Sequence, residues 1–201
     1  EKITADQYKG SVRFVADKIE DDHPALLIAK HVTSKLSPRC RDAFIECLIV
    51  NTLLRGVDKR KKLIEETGNN APTTILMSPT MRCNLSCEGC YASEYDIRHD
   101  LDRALMQKIV DEGNDMGVYL FTLLGGEPFM WEELLDFARE NKDAYFQVFT
   151  NGTLLSDSML ELFDANRNLV PIVSIEGDER QTDARRGAGQ TRAADQGRTP
   201  S

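Results

Sequence analysis

From Thr74 onward, short apolar runs alternate with amphipathic stretches of about ten residues or more. This rhythm restricts the fold more than any other feature of the 201-residue chain. The apolar runs fall at residues 74–78, 118–124, 145–150 and 169–175, and helical patterns occupy 102–116, 131–141 and 156–165. Strands that alternate with helices of this length build βαβ units around a parallel sheet. The expected class is α/β with a parallel sheet of about four βα units, half of what a closed eight-fold barrel needs. Pro171 lies in the fourth run and is expected to be tolerated because it precedes the strand centre.

Residues 1–70 read differently, as a helical N-terminal region. Asp22-His23-Pro24 looks like one helix start and Ser37-Pro38 another, each with proline in the first turn. Gly56 is expected to break or bend the second helix, and a linker is placed at 68–73. Cys40 and Cys47 fall on one face of that helix as core thiols, and Leu105 and Ile109 form a core stripe on a later one. The run Lys59-Arg60-Lys61-Lys62 is read as a solvated face. Residues 71–187 form the core region. Beyond Ile175 no Val, Ile, Leu, Met, Phe, Tyr or Trp occurs. That segment is expected to be loosely draped, with 188–201 as a disordered or aberrant tail.

Composition narrows the function. Residues 1–70 carry a net charge of +2 and residues 71–201 a net charge of −10, so a basic nucleic-acid footprint is absent. No apolar stretch has the length of a membrane span. The five cysteines are not distributed as a disulfide framework, and a reducing cytoplasm is the expected setting.

Three of those cysteines, Cys83, Cys87 and Cys90, stand in one CxxxCxxC loop after the first strand. Three thiolates are one short of a closed four-ligand site, which suggests a metal centre with an open position. A structural zinc site would need a fourth ligand from His99, Cys40 or Cys47. In a parallel sheet, ligands gather at the carboxyl ends of the strands. Gly125-Gly126-Glu127 follows the second strand, Asn151-Gly152 the third, and Ser174, Glu176 and Gly177 the fourth. All four loops are expected on one rim.

These motifs resemble the radical S-adenosylmethionine (radical SAM) superfamily over roughly residues 74–187. Cys83-x-x-x-Cys87-x-x-Cys90 has that family's cluster spacing, and Gly125-Gly126-Glu127-Pro128 is similar to its glycine-glycine-glutamate motif. Thr150-Asn151-Gly152 is similar to its third-strand turn. Ser174-Ile175-Glu176-Gly177 with Asp183 and Arg186-Gly187 resembles its fourth-strand pattern, in the style of the SPASM-like branch that modifies peptides or matures enzymes and cofactors.

The resemblance implies the following expectations. The fold is a partial parallel (β/α) barrel of the TIM-like radical SAM type, with about four βα units after the helical N-terminal region. Cys83, Cys87 and Cys90 ligate a [4Fe–4S] cluster whose fourth iron takes S-adenosylmethionine. Reductive cleavage then gives a 5′-deoxyadenosyl radical that abstracts hydrogen from a substrate, a peptide or a cofactor precursor. A reductant such as flavodoxin or ferredoxin supplies the electron. Glu127 accepts from the methionine ammonium, and Gly125 and Gly126 let the backbone approach the ligand. Arg186 pairs with the methionine carboxylate. Ser174 and Glu176 face the ribose, Asn151 assists, and Tyr91 lies near adenine. Two departures stand out: Gly89 replaces an aromatic residue common before the third cysteine, and Glu176 replaces the usual aspartate. The family usually has six βα units, so the chain reads as truncated after its fourth strand. The alternative is therefore an inert iron–sulfur fragment or redox module. A third reading makes residues 1–70 a partner-binding appendage.

Overall fold

A computed structural model of the chain describes residues 30–31, 34–95 and 99–192. The expected helix start at Asp22-His23-Pro24 lies outside them. Four strands form one all-parallel sheet: β1 (Ile75–Met77), β2 (Leu120–Leu123), β3 (Tyr145–Thr150) and β4 (Leu169–Val173). They lie side by side in chain order, β1-β2-β3-β4. That order is the barrel progression; a doubly wound sheet would reverse direction at a switch point.

Crossover helices α3 (Arg103–Met116), α4 (Leu134–Glu140) and α5 (Asp157–Ala165) connect the strands. Asp102 caps α3 by accepting from the Leu105 N–H, and Gly117 closes it in the left-handed conformation. Ser156 caps α5 as the sequence predicts. The core packs the helices on one sheet face. Met77, Phe121, Leu123, Phe146 and Val148 meet Met106, Val110, Leu134 and Phe137 there. The α3 stripe differs from expectation. Met106 and Val110 are its buried members, and Leu105 is 45% exposed, because the helix is rotated one position from the predicted phase.

Pro171 stands at the middle of β4, opposite Val148, and does not precede the strand centre as expected. It is tolerated because β4 is an edge strand of the described sheet. The Ser174 N–H donates to the Thr150 carbonyl, so by alternation Pro171 lies on the side of the strand turned away from β3.

Ahead of the sheet runs a helical rod: α1 (Pro38–Ala43), a π-helical stretch Phe44–Arg55, and α2 (Gly56–Thr67). The π-helical winding is unexpected, since such helices are normally single turns. Its buried residues Cys47, Asn51 and Thr52, followed by Gly56 at the start of α2, are spaced four or five positions from turn to turn, the wider repeat of an i→i+5 ladder. The rod covers the amino ends of the strands. The Cys47 thiol donates to the Lys142 carbonyl at 3.2 Å, and Asn51 Nδ2 donates to the Asp143 carbonyl at 2.9 Å.

Three expectations for this rod need correction. Gly56 does not break it; the helix runs through, and Gly56 is bare because the Gly117 carbonyl lies where a Cβ would be. Lys59 and Arg60 are not merely solvated. Lys59 Nζ donates to the Asn114 carbonyl at 2.6 Å and Arg60 to the Gly117 carbonyl, placing cations on the negative end of α3. Of the two helical thiols only Cys47 is fully buried.

The chain after β4 also differs from expectation. Residues Glu179–Arg186 form a helix, α6, despite lacking any large apolar residue. Local chemistry substitutes for an apolar face. Asp178 and Gln181 make a reciprocal capping box, and Thr182 Oγ1 accepts from the Glu176 N–H at 3.1 Å. Asp183 accepts from the Gly189 and Thr191 N–H groups and so fastens residues 189–191. The expected disorder of 188–201 therefore fails for 188–192; the remainder lies outside the described residues.

Candidate functional site

At the carboxyl ends of the strands lies a cavity of about 290 Å³. Cys83, Cys87 and Cys90 line it, together with Tyr91, Gly125 and Gly126. Asn151, Ser174 and Arg186 of the predicted set also line it, as does Arg185, whereas Glu127 and Glu176 do not. All three thiols are free. They also border a second cavity of about 360 Å³, lined otherwise by residues of the loop and its flanks such as Met81, Leu85 and Ala92.

Four strand ends hold this loop. The β1–β2 pairing continues past the strands: the Gly126 N–H donates to the Thr80 carbonyl at 3.0 Å and the Glu127 N–H to the Arg82 carbonyl at 2.8 Å. This revises the reading of the glycines. A Cβ on Gly125 or Gly126 would strike the backbone of Thr80 or Arg82, so the close approach they permit is to their own chain. Arg82 then forks onto Asp100 at 3.1 and 2.5 Å and reaches the Met130 carbonyl at 3.0 Å. Its guanidinium holds the Asp100 carboxyl below the usual carboxylate range.

Three further contacts fix the cysteine segment itself. Asn84, between the first two cysteines, accepts from Asn151 Nδ2 at 2.8 Å and donates to Thr153 Oγ1 at 2.8 Å. Glu88, between the second and third, exchanges backbone contacts with Arg185. The Tyr91 hydroxyl, after the third, donates to the Gly125 carbonyl at 3.3 Å and accepts from its N–H at 3.2 Å. The first inter-cysteine segment is therefore tied to the end of β3, the second to the last turn of α6, and the residue after Cys90 to the end of β2.

Glu127 is placed otherwise than the sequence suggests. It is 0% exposed and is not among the residues lining the cavity. Its carboxylate accepts from Thr150 Oγ1 and the Asn151 N–H, both at 2.8 Å, and from the Phe129 N–H at 3.2 Å. Burial pushes its carboxyl above the ordinary range, and these three bonds work against that shift. Glu176 also has chain partners. Arg186 donates to it at 3.1 and 2.6 Å, and Arg185 donates to the same oxygen. Arg186 first, then Arg185, holds its carboxyl below the ordinary range. Sequence reasoning missed Arg185, Asn84 and Thr150. Asn84 could have been found from its place inside the thiol loop, whereas nothing in the sequence distinguishes Arg185 from a surface arginine.

The donor set fits an iron–sulfur cluster. Among the described residues no three His, Cys, Asp or Glu side chains converge as they would on one metal ion. Three separated thiols suit a cluster that offers each its own iron. The expected zinc alternative loses two of its candidate ligands, since Cys40 and Cys47 belong to the rod at the amino ends of the strands. Desolvation raises the Cys83 thiol above its ordinary value, with Glu127, Cys87 and Cys90 adding to the shift. A metal would have to displace that proton on binding.

An ordered parallel sheet with a three-thiol loop at its carboxyl rim defines a radical SAM-type half-barrel. The model of the Radical SAM superfamily matches residues 77–194, and the chain belongs to that superfamily. Members of the superfamily bind a [4Fe–4S] cluster and S-adenosylmethionine. The tungsten-containing aldehyde ferredoxin oxidoreductase cofactor-modifying protein of Pyrococcus furiosus is 38% identical over 102 residues, covering 48% of this chain and 29% of that protein. The serine-type anaerobic sulfatase-maturating enzyme of Bacteroides thetaiotaomicron is 34% identical over 128 residues, 54% of this chain and 30% of the relative. The match thus spans about three tenths of the length of these curated relatives. The crystal structure of Streptococcus suis SuiB bound to S-adenosylmethionine superposes with a TM-score of 0.55 at 23% identity, over 70% of this chain and 34% of SuiB. That likeness shows the fold. Among the described residues no helix is long and apolar enough to cross a membrane.

Proposed function

We propose that this chain holds a [4Fe–4S] cluster on Cys83, Cys87 and Cys90, binds S-adenosylmethionine at the cluster's free iron, and directs radical chemistry at a peptide or a cofactor precursor. The observation that carries this reading is the meeting of three free thiols with four strand ends on one cavity. When bound, the cluster and S-adenosylmethionine supply reductive carbon–sulfur cleavage, giving a 5′-deoxyadenosyl radical that abstracts hydrogen.

The chain's own residues position and shield that chemistry. Arg186, with a side chain only 14% exposed, offers a guanidinium for the methionine carboxylate. Ser174 on the same wall and Glu176 behind it serve the ribose hydroxyls. Asn151 presents its amide beside Cys83, and Tyr91 offers a ring face for adenine. Glu127 lies behind the wall, where its buried negative charge favours the methionine ammonium. Gly125 and Gly126 let the turn that carries Glu127 close against the Thr80–Arg82 backbone and line the cavity with main chain.

The substrate class draws support from the relatives. One modifies a cofactor and another matures a sulfatase, by their names. SuiB has also been crystallised with its precursor peptide SuiA. A low-potential donor of the flavodoxin or ferredoxin class is the expected electron source, and the reducing cytoplasm suits accessible thiolates.

Anaerobic reconstitution with iron and sulfide tests the reading. The expected result is a brown protein with about four irons per chain, and Cys83→Ala should lose the colour. Under dithionite with S-adenosylmethionine, 5′-deoxyadenosine should accumulate. Stoichiometric zinc without iron uptake would refute the cluster. A stable cluster that yields no 5′-deoxyadenosine would make the chain a redox or binding module.

A further inference from the structure

We infer that Arg185 is a positioning residue for the thiol loop, a role separate from that of its neighbour Arg186 and resting on the cluster reading above. The two arginines end α6 side by side and share Glu176, but they turn to different tasks. Arg185 clasps the peptide between the second and third cysteines in both directions. Its Nε donates to the Glu88 carbonyl at 3.2 Å, and its own carbonyl accepts the Glu88 N–H at 2.9 Å. Both backbone groups of Glu88 are thereby satisfied by a single residue 97 positions away. Arg186 makes no such contact with the loop. It takes two bonds to Glu176, and although both arginines line the cavity, only Arg185 reaches Glu88.

The clasp is held from behind. Glu176 accepts from the Arg185 guanidinium and fixes the plane in which Nε points. The Thr182 hydroxyl accepts from the Glu176 N–H, and the Asp178–Gln181 box starts the helix in register. A chain of bonds thus runs from the end of β4, through Glu176 and α6, to the peptide flanked by Cys87 and Cys90. Loop segments are ordinarily mobile, and a site held loosely by its support performs poorly. The Glu88 peptide lies within two residues of two ligands, so its orientation sets where Cys87 and Cys90 present their sulfurs. A lysine could pair with Glu176, but it lacks the planar fork that reaches Glu88 as well.

The test compares Arg185→Ala, Arg185→Lys and Arg192→Ala in the reconstituted full chain without S-adenosylmethionine; Arg192 pairs with Glu179 of the same helix and does not line the cavity. Loss of one charge-assisted hydrogen bond should speed iron release to a chelator about tenfold. Arg185→Ala and Arg185→Lys should both show this, together with altered g-values of the reduced cluster by electron paramagnetic resonance. Arg192→Ala should match the parent in both measurements. Hydrogen exchange on the cluster-free protein adds an independent arm: residues 87–90 should exchange faster in the Arg185 variants and at the parent rate in Arg192→Ala. Parent-like chelator rates and exchange in Arg185→Ala would overturn the inference. So would equal losses in Arg192→Ala, which would mean that weakening α6 anywhere has the same effect. If the parent chain takes up no iron, the cluster reading fails, and the exchange arm alone decides the clasp.

Discussion

Glu127 has three donors on two oxygens and no exposed surface. Its carboxylate joins the turn after β2 to the end of β3, and Asn151, which it holds, in turn reaches Asn84 and Cys83. Glu127→Gln keeps the shape but turns one acceptor into a donor, facing either the Asn151 N–H or the Thr150 hydroxyl. The expected loss is about 1–3 kcal/mol of unfolding free energy, read from urea melts, with Asn151 as the first amide to lose exchange protection. That glutamate was legible in the sequence as a chemistry-bearing residue, because Gly125-Gly126-Glu127 is a compact motif. Its burial was not legible. A motif states which residue types recur, and the side on which a carboxylate lies depends on the Thr80–Arg82 backbone packed against both glycines.

At the scale of elements, α6 is the part that sequence patterning could not have found. Helix readings rest on apolar periodicity, and Glu179–Arg186 has none. Caps and ion pairs build it instead, and such contacts become visible only once β4 brings Glu176 to the helix. This dependence makes α6 sensitive to acid. The Glu176 carboxyl is held below its ordinary range by Arg186 and Arg185. Its contribution is therefore complete above the unfolded carboxylate value and is lost as pH falls through the lower folded value. Hydrogen exchange followed from pH 6 downward should show residues 179–186 losing protection below the ordinary glutamate range, and Glu176→Gln should remove that step. The strands, by contrast, were readable almost to the residue. Tyr145–Thr150 matches its apolar run, and the others are shorter than their runs by two or three residues, where the chain bends into loops.

Across the whole molecule the two ends of the sheet carry separate duties. The rod of α1, the π-helical stretch and α2 packs on the amino ends, and every predicted ligand lies at the carboxyl ends. Gly56→Ala would drive a methyl into the Gly117 carbonyl. Overpacking of this kind should cost about 1–3 kcal/mol in a thermal melt of the cluster-free chain. Iron uptake at a temperature where the variant remains folded should equal that of the parent. An equal deficit in both measurements would instead mean that the rod and the thiol loop are coupled through the sheet. Architecture class was legible because the strand–helix rhythm is a long-range property of composition. The π-helical winding was not, since Phe44–Arg55 carries apolar residues at a spacing an ordinary helix also satisfies.

The three ties on the thiol segment come from positions late in the chain: Gly125, then Asn151, then Arg185. A polypeptide made at roughly 5–20 residues per second presents Cys90 well before any of them. The last tie arrives 95 residues after that cysteine, a lag of roughly 5–19 seconds at those rates. During this interval the segment gains first its Gly125 tie and then its Asn151 tie, but it lacks the Arg185 clasp. The Glu88 peptide, between Cys87 and Cys90, therefore reaches its final seat only once α6 has been made.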